Sequence, residues 1–563
     1  MSWLAWSITI LFLGAIGASL PVRETTARLV GVLTCLAGST AGVFGAFETL
    51  LNRIHSSRLE VWSAPFASLN LGLDSLTALL LVPGLLAGGV ASLRAIRPRP
   101  GEFAANHHRE YWLYSNILLA AFVLALAARN AVLFLLAGEV VFLAAFLLLL
   151  GGGGRKNYPL SWRQLKIWQL ACLIQFSAFA ILGREAEVAN FSLLHPGALA
   201  TPVFFLALAA FLAATGLFPF PSGASGRQDA PWTFNAVWPG VLGGLPLYGL
   251  LRTLDILGNG VPPPFFWGAG LVGVGLVSIF RALWQRSRAD DLARHIVHAT
   301  AEGWGLVAVA LGLGLLDLAS DRPASFPTLH FVAAYLAYAG VVTGGGGLFL
   351  LAGGLHSLGG SRRLDNLGGL GVSRPGGECL AVLAGLGTPC LPTLPGFAAL
   401  VLLFATLPEG NPVLVLSVLA VGLGALVSFA LSLTRHRRIF RGKPGATLPH
   451  PEVVALPGEV LPPLLLILAA PALAVSLPWS APVIQSALAG LVRLWRGERG
   501  IRGVLPSEVS GNLYPVLAGV TAATTLLIVF WMLGRLLRKP ASFPKRKGKL
   551  RHSGGKPPRK GNK

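Results

Sequence analysis

The 563-residue chain is 54% hydrophobic and only 12% charged, with a mean hydropathy of +0.67. A soluble chain carries about 25% charged residues, so this composition excludes a soluble enzyme and reads as a polytopic membrane protein. The net charge of +22 does not point to nucleic acid, because twelve Lys/Arg and no acid fall between Arg535 and Lys563, where a basic run beside an apolar helix anchors topology against anionic lipid headgroups.

Apolar stretches near the ~20-residue spanning length fall at 2–20, 29–51, 71–93, 112–128, 130–151, 165–183, 199–218, 233–252, 264–283, 296–316, 328–356, 377–406, 412–434, 460–478 and 513–537, about fifteen transmembrane helices. The first, Trp3 to Leu20, has no basic segment before it and no small-residue cleavage site, so it reads as a retained helix. Cys35, Cys172, Cys379 and Cys390 show no metal-binding spacing, so neither a disulfide nor an iron–sulfur cluster is expected.

Loop charge sets the orientation. Arg94/Arg97/Arg99/Arg109, Arg155/Lys156/Arg163, Arg281/Arg286/Arg288, Arg362/Arg363 and Arg435/Arg437/Arg438/Arg441/Lys443 follow odd-numbered helices, whereas most even ones are followed by single arginines. The positive-inside rule then puts the N-terminus outside and the C-terminus in the cytoplasm of a bacterial-type inner membrane.

The stretch 130–151 carries one carboxylate, Glu139, near its middle. A charge at that depth costs at least ~2.5–3.5 kcal/mol, which marks a functional candidate.

Two helices are interrupted by proline, one at Gly216–Pro221 with Pro219 and Pro221, the other at Gly387–Gly396 with Pro392 and Pro395. Proline removes a backbone donor and clashes with the preceding turn, and broken helices in corresponding positions are the mark of an inverted repeat. The expected organisation is all-α: helices 1–3 in 1–111, a first five-helix repeat in 112–255, an inverted second in 256–435, further helices with an amphipathic interfacial segment at 479–512 in 436–537, and a basic tail in 538–563.

His295, His298 and Glu302 fall near one helical face. Two readings stay open: polar contacts between helices with the histidines at headgroup level, or a local proton-access site built from His298 and Glu302. Gly344–Gly347 is not followed by Lys-Ser/Thr, so close helix packing is expected there and not a phosphate loop. Asp74 opens the third helix as a cap or an interfacial pair. No hydrolase constellation is present.

Several stretches together resemble the antiporter-like membrane subunits of respiratory complex I, cation/proton antiporters and membrane-bound hydrogenases, most of all the large membrane subunit of formate hydrogenlyase and hydrogenase-four complexes. They are Leu71-Gly-Leu-Asp74, Ala128-Arg-Asn leading to Glu139, Tyr248-Gly-Leu-Leu-Arg252, Asp291-Leu-Ala-Arg294 leading to His298 and Glu302, Leu364-Asp-Asn366, and Pro392-Thr-Leu-Pro-Gly-Phe397. The resemblance implies a water-linked Glu–Lys–Lys–Lys/Glu proton relay at mid-membrane, driven by redox partners. Here Glu139 matches the glutamate, but the expected basic or acidic positions fall on Ala214, Gly244, Gly344–Gly347 and Leu400, and Pro221 stands where a histidine is expected. The implied protein is a non-redox subunit without a bound cofactor or catalytic centre of its own, at most part of a proton-translocating oxidoreductase. It would sit among other membrane and redox subunits, its relay degenerate. The alternative is the membrane subunit of an inorganic-carbon uptake or other ion-transport complex.

Overall fold

The computed structural model describes residues 2–20, 23–52, 57–63, 68–96, 108–153, 157–184, 190–194, 197–220, 229–258, 262–320, 323, 325–359, 361–370, 375–383, 394–407, 412–442, 457–496 and 507–536. The chain is almost entirely helical. It begins with α1 (Ser2–Ser19) and α2 (Glu24–Asn52), followed by an antiparallel hairpin of β1 (Ser57–Ser63) and β2 (Ser68–Leu73). Next come α3 (Ser75–Arg94), α4 (His108–Ala127), α5 (Ala131–Gly153), α6 (Tyr158–Leu182) and α7 (Ala200–Thr215). The middle of the chain holds α8 (Trp232–Val237), α9 (Gly244–Leu257), α10 (Phe265–Ser287) and α11 (Leu292–Leu318). Helix α12 (Ser325–Gly340) runs through a π turn at Val341–Gly345 into α13 (Gly346–Gly359). The remainder is α14 (Pro375–Leu383), α15 (Pro395–Ala405), α16 (Pro412–Arg441), α17 (Pro457–Val475), α18 (Leu477–Arg496) and α19 (Ser507–Leu536).

Each of the fifteen apolar stretches carries helix. Ten helices among the described residues are long and apolar enough to cross a membrane, or eleven if α17 and α18, bent by 85° at their junction, form one broken span. The count of fifteen is not reached on length, because α1, α7 and α15 are short apolar helices. Leu71–Leu73, expected to open the third helix, instead end β2. Asp74 then caps α3, its carboxylate accepting from the Thr77 amide at 2.8 Å, so the helix cannot start earlier. The expected eighth helix at 233–252 is two pieces, α8 and α9. Pro239, Gly240, Gly243 and Gly244 disfavour continuous helix between them.

Both expected interruptions separate helices. Thr215 ends α7 with Gly216 left-handed at φ 73°, and Pro219 follows in the turn beyond it. Pro395 is the first residue of α15, the position where its missing amide costs least. Pro221 and Pro392 lie outside the described residues, as does the basic tail.

The core is one large apolar cluster spanning α1 to α19, with a second around α13, α14 and α17. Helix α18 buries Ile484, Leu488, Leu491 and Trp495 in that core. Its apolar face packs on the helix bundle, so the expected interfacial segment is in this part a strap on the protein. Helices α10 and α11 approach most closely through facing glycines. A Cβ on Gly268 would lie 2.7 Å from the Gly312 carbonyl oxygen, and one on Gly275 would lie 2.9 Å from that of Gly305. Small residues at such a crossing let two backbones touch, and this contact sets the register of the buried polar groups described next.

Candidate functional site

Helix α5 starts at Asn130, whose side-chain oxygen accepts from the Val132 amide at 2.7 Å. Two and a half turns on, Glu139 is half-buried. Gln169 of α6 donates to its carboxylate at 2.5 Å, and the Cys172 thiol one turn further along α6 also hydrogen-bonds to it. The carboxylate is thus held by neutral groups.

The positions at which a relay would continue are packed with apolar groups. Ala214 and Leu400 are buried. A side chain on Gly244 would place its Cβ 2.6 Å from the Tyr338 hydroxyl, and Tyr338 is itself fixed by donating to the Gly240 carbonyl at 2.9 Å. The glycine run lies in and after the π turn, where Gly345 abuts Thr300 and Gly346 abuts the Ala236 backbone, so close packing explains it. Trp304 packs edge-on to Phe211 and Trp238 and against Tyr338, with ring centroids 5.7–6.4 Å apart. The adjoining cavity holds about 30 Å³, and Thr300 is the single polar side chain among its lining residues. That is room for one or two waters, not for a chain of them.

One turn below this aromatic group is a buried polar cluster. Arg286, at the end of α10, is fully buried and is not a loop charge as its sequence position implied. Its Nη1 donates to both Glu302 carboxylate oxygens at 3.0 and 2.9 Å and to Ser428 at 2.7 Å; Ser428 in turn donates to Glu302 at 2.5 Å. Arg286 also donates to Ser432, and to Nε2 of His295 at 3.3 and 3.2 Å. A guanidinium only donates, so His295 presents Nε2 as an acceptor. His298 is half-buried on the same helix, within electrostatic reach of His295. Glu302 is therefore the acid of a tight ion pair, with Ser428 of α16 on the carboxylate and Ser432 on the guanidinium. The missed partners left a sequence signal: Ser428, Ser432 and His436 recur every four residues in an otherwise apolar helix, one polar stripe.

A second network joins three of the quoted motifs at the other end of the bundle. The Arg129 amide donates to the Asn70 carbonyl at 2.9 Å, which brings the arginine to the base of β2. Arg129 and Arg252 then reach the Asp74 carboxylate at 2.5 and 2.7 Å, and Arg252 also binds Asp255 at 2.8 Å and the Tyr248 hydroxyl at 2.8 Å. Burial pushes the Asp74 carboxyl up, but Arg252 and Arg129 outweigh it and hold it well below the usual carboxylate range. Asp74 is a cap and a clamp between α3, α5 and α9. A further buried pair, Asp317 and His330 at 2.8 Å with Thr406 at 3.1 Å from the imidazole, joins α11, α12 and the end of α15. The sequence reading had not singled it out.

These features define an all-helical membrane subunit with interrupted helices and buried ion pairs. No protein-family model matches the chain. It is 28% identical over 422 residues to an uncharacterized protein of Mycobacterium tuberculosis, covering 70% of this chain and 61% of that one. With hydrogenase-4 component B of Escherichia coli it shares 26% over 407 residues, 70% of this chain and 59% of that one. Among solved structures, the Mrp complex of Dietzia sp. superposes with a TM-score of 0.71 at 19% identity, covering 96% of this chain and 57% of the other. A chain of respiratory complex I from Thermus thermophilus gives 0.69 at 20%, covering 87% and 99%. In sequence the chain is similar to hydrogenase-4 component B, formate hydrogenlyase subunit 3 and a Na(+)/H(+) antiporter subunit A1, and it shares its fold with chains of the Mrp complex and of respiratory complex I. It spans about 60% of the length of the curated relatives it matches.

Proposed function

We propose that the chain is a non-redox subunit of a complex I-like or hydrogenase-type membrane assembly whose proton-translocation module is degenerate. The observation that carries this reading is the filled axis beyond Glu139: Ala214, Gly244, the π-turn glycines and Leu400 offer no titratable group, and Trp304 with Tyr338 occupies the space between. Buried ionisable residues conduct when they face one another or water, and Glu139 faces an amide and a thiol. Its partners would be other membrane subunits and a redox subunit that holds the catalytic centre. The multi-subunit membrane complexes among its structural neighbours support that assignment. The α7/α8 and α14/α15 interruptions are read as the broken helices of two inverted repeats, spanning 112–255 and 256–435. The odd loops lie in the cytoplasm of a bacterial inner membrane, with the basic tail on anionic headgroups.

In the assembled complex, Glu139→Gln is expected to leave coupled proton uptake within about twofold of wild type. A loss of tenfold or more at normal subunit content would show that Glu139 conducts and would overturn the degenerate reading.

A further inference from the structure

A cavity of about 430 Å³ opens between α16 and α19. Its walls are sorted by chemistry. Phe429 and Leu433 of α16 face Leu527 and Ile528 of α19, with Val382 of α14 at the base, while His436, Arg437 and Arg441 stand at one end. Trp531 lies beside that end, the placement that indoles favour at a membrane–water boundary.

From Phe429 to Arg441 is twelve residues of continuous helix, about 18 Å at 1.5 Å per residue. That is close to the ~15 Å depth of one leaflet's hydrocarbon. The groove is therefore about as tall as one leaflet, mainly apolar along its walls, with Ser432 and Thr524 the hydroxyls among them, and cationic at its mouth. Arg437 is exposed. Arg441 keeps its side chain 53% exposed while its Nε reaches Glu378 at 3.4 Å, and His436 reaches the same carboxylate at 3.3 Å. Two guanidinium groups against one carboxylate leave the mouth net positive, and the planar donor fork of arginine matches a phosphate.

We propose that this groove binds an anionic phospholipid, its phosphate held by Arg437 and Arg441 and one acyl chain lying between α16 and α19. A soluble anion would use the mouth and leave the apolar walls uncovered; a neutral hydrophobe would use the walls and leave the excess positive charge of the mouth unmatched. Because Glu378 sits on α14, the headgroup site also ties the lipid to the helix preceding the second interruption. The inference needs only the bilayer location of the chain, so it stands or falls independently of the parent complex.

The test is the full chain reconstituted in nanodiscs of phosphatidylcholine with 20–30% phosphatidylglycerol, roughly the charge range of a cytoplasmic leaflet rich in anionic lipid. The chain is then released and its retained lipids are measured by native mass spectrometry. Wild type is expected to retain phosphatidylglycerol at least about tenfold over its share of the bilayer, undiminished by millimolar inorganic phosphate. The R437Q/R441Q pair is expected to lose that preference. Leu527→Trp, which fills the groove and leaves both arginines in place, is expected to lose the retained lipid as well. Equal retention of the two lipids by wild type, displacement by inorganic phosphate, or unchanged retention in Leu527→Trp would each overturn the assignment. Retention of a neutral hydrophobic molecule or a partner polypeptide in place of the anionic lipid would do the same.

Discussion

Glu302 and Arg286 illustrate why a buried charge is informative only with its partner. An isolated carboxylate in hydrocarbon is a functional candidate, and from sequence Glu302 qualified. In the folded chain it meets a fully buried guanidinium and the Ser428 hydroxyl. Removing one member of such a pair leaves the other uncompensated and costs about 3–5 kcal/mol, whereas replacing both by apolar groups of similar volume is close to neutral. Glu302→Gln is therefore expected to lower the thermal midpoint of the detergent-solubilised chain markedly. The double variant Arg286→Met/Glu302→Leu should recover most of the loss. A double variant no more stable than the single one would show that the pair is kept for conduction or docking and not for packing. Nothing in the sequence paired these residues, which are sixteen apart across a helix hairpin, although the Ser428–Ser432–His436 stripe did mark the face of α16 that would turn inward.

At the scale of elements, the α10/α11 hairpin sets that geometry. Its facing glycines bring the two backbones into contact, and the antiparallel register then places Arg286 opposite His295 and Glu302. A methyl group at Gly275 would meet the Gly305 carbonyl oxygen at 2.9 Å and the Val309 amide nitrogen at 2.9 Å, both backbone atoms that cannot rotate away. Gly275→Ala is expected to cost about 1–3 kcal/mol, as overpacking does. Hydrogen exchange of α10 and α11 should rise while that of α5 and α6 stays unchanged; protection unaltered throughout would show that the helix contact tolerates separation. The interruptions at Gly216 and Pro395 were legible because proline and left-handed glycine act locally. The split between α8 and α9 was not, since the average hydropathy of 233–252 hides a Pro-Gly and a Gly-Gly pair within one apolar run. The strand ending at Leu73 was missed for the opposite reason: its apolar residues merge in sequence with the helix that Asp74 caps.

For the whole molecule, the proposed orientation rests on loop charge and the basic tail. Deletion of the tail from Lys545 onward is expected to alter membrane orientation or assembly, read by cysteine accessibility from each side and by co-purification of neighbouring subunits, with little change in turnover per assembled complex. A collapse of turnover with orientation and assembly intact would contradict an anchoring role. The three motifs of the opposite end, at Asp74, Arg129 and Tyr248–Arg252, are far apart in sequence yet meet in one ion-pair network. Their resemblance to related subunits therefore reflects at least in part a shared scaffold, independent of any relay.

The sequence by itself determined the membrane class, the helical stretches and the interruptions, because spanning length and proline chemistry are local or compositional properties. It also determined that apolar residues stand where the resemblance implies relay groups beyond Glu139. Which charges meet was decided by the tertiary structure alone. Arg286 became a buried partner of Glu302, Asp74 a clamp between three helices, α18 a strap on the bundle, and the face between α16 and α19 a groove. Each of these depends on helix register and crossing, set by side-chain volumes on several segments at once, and no single stretch of sequence carries that information.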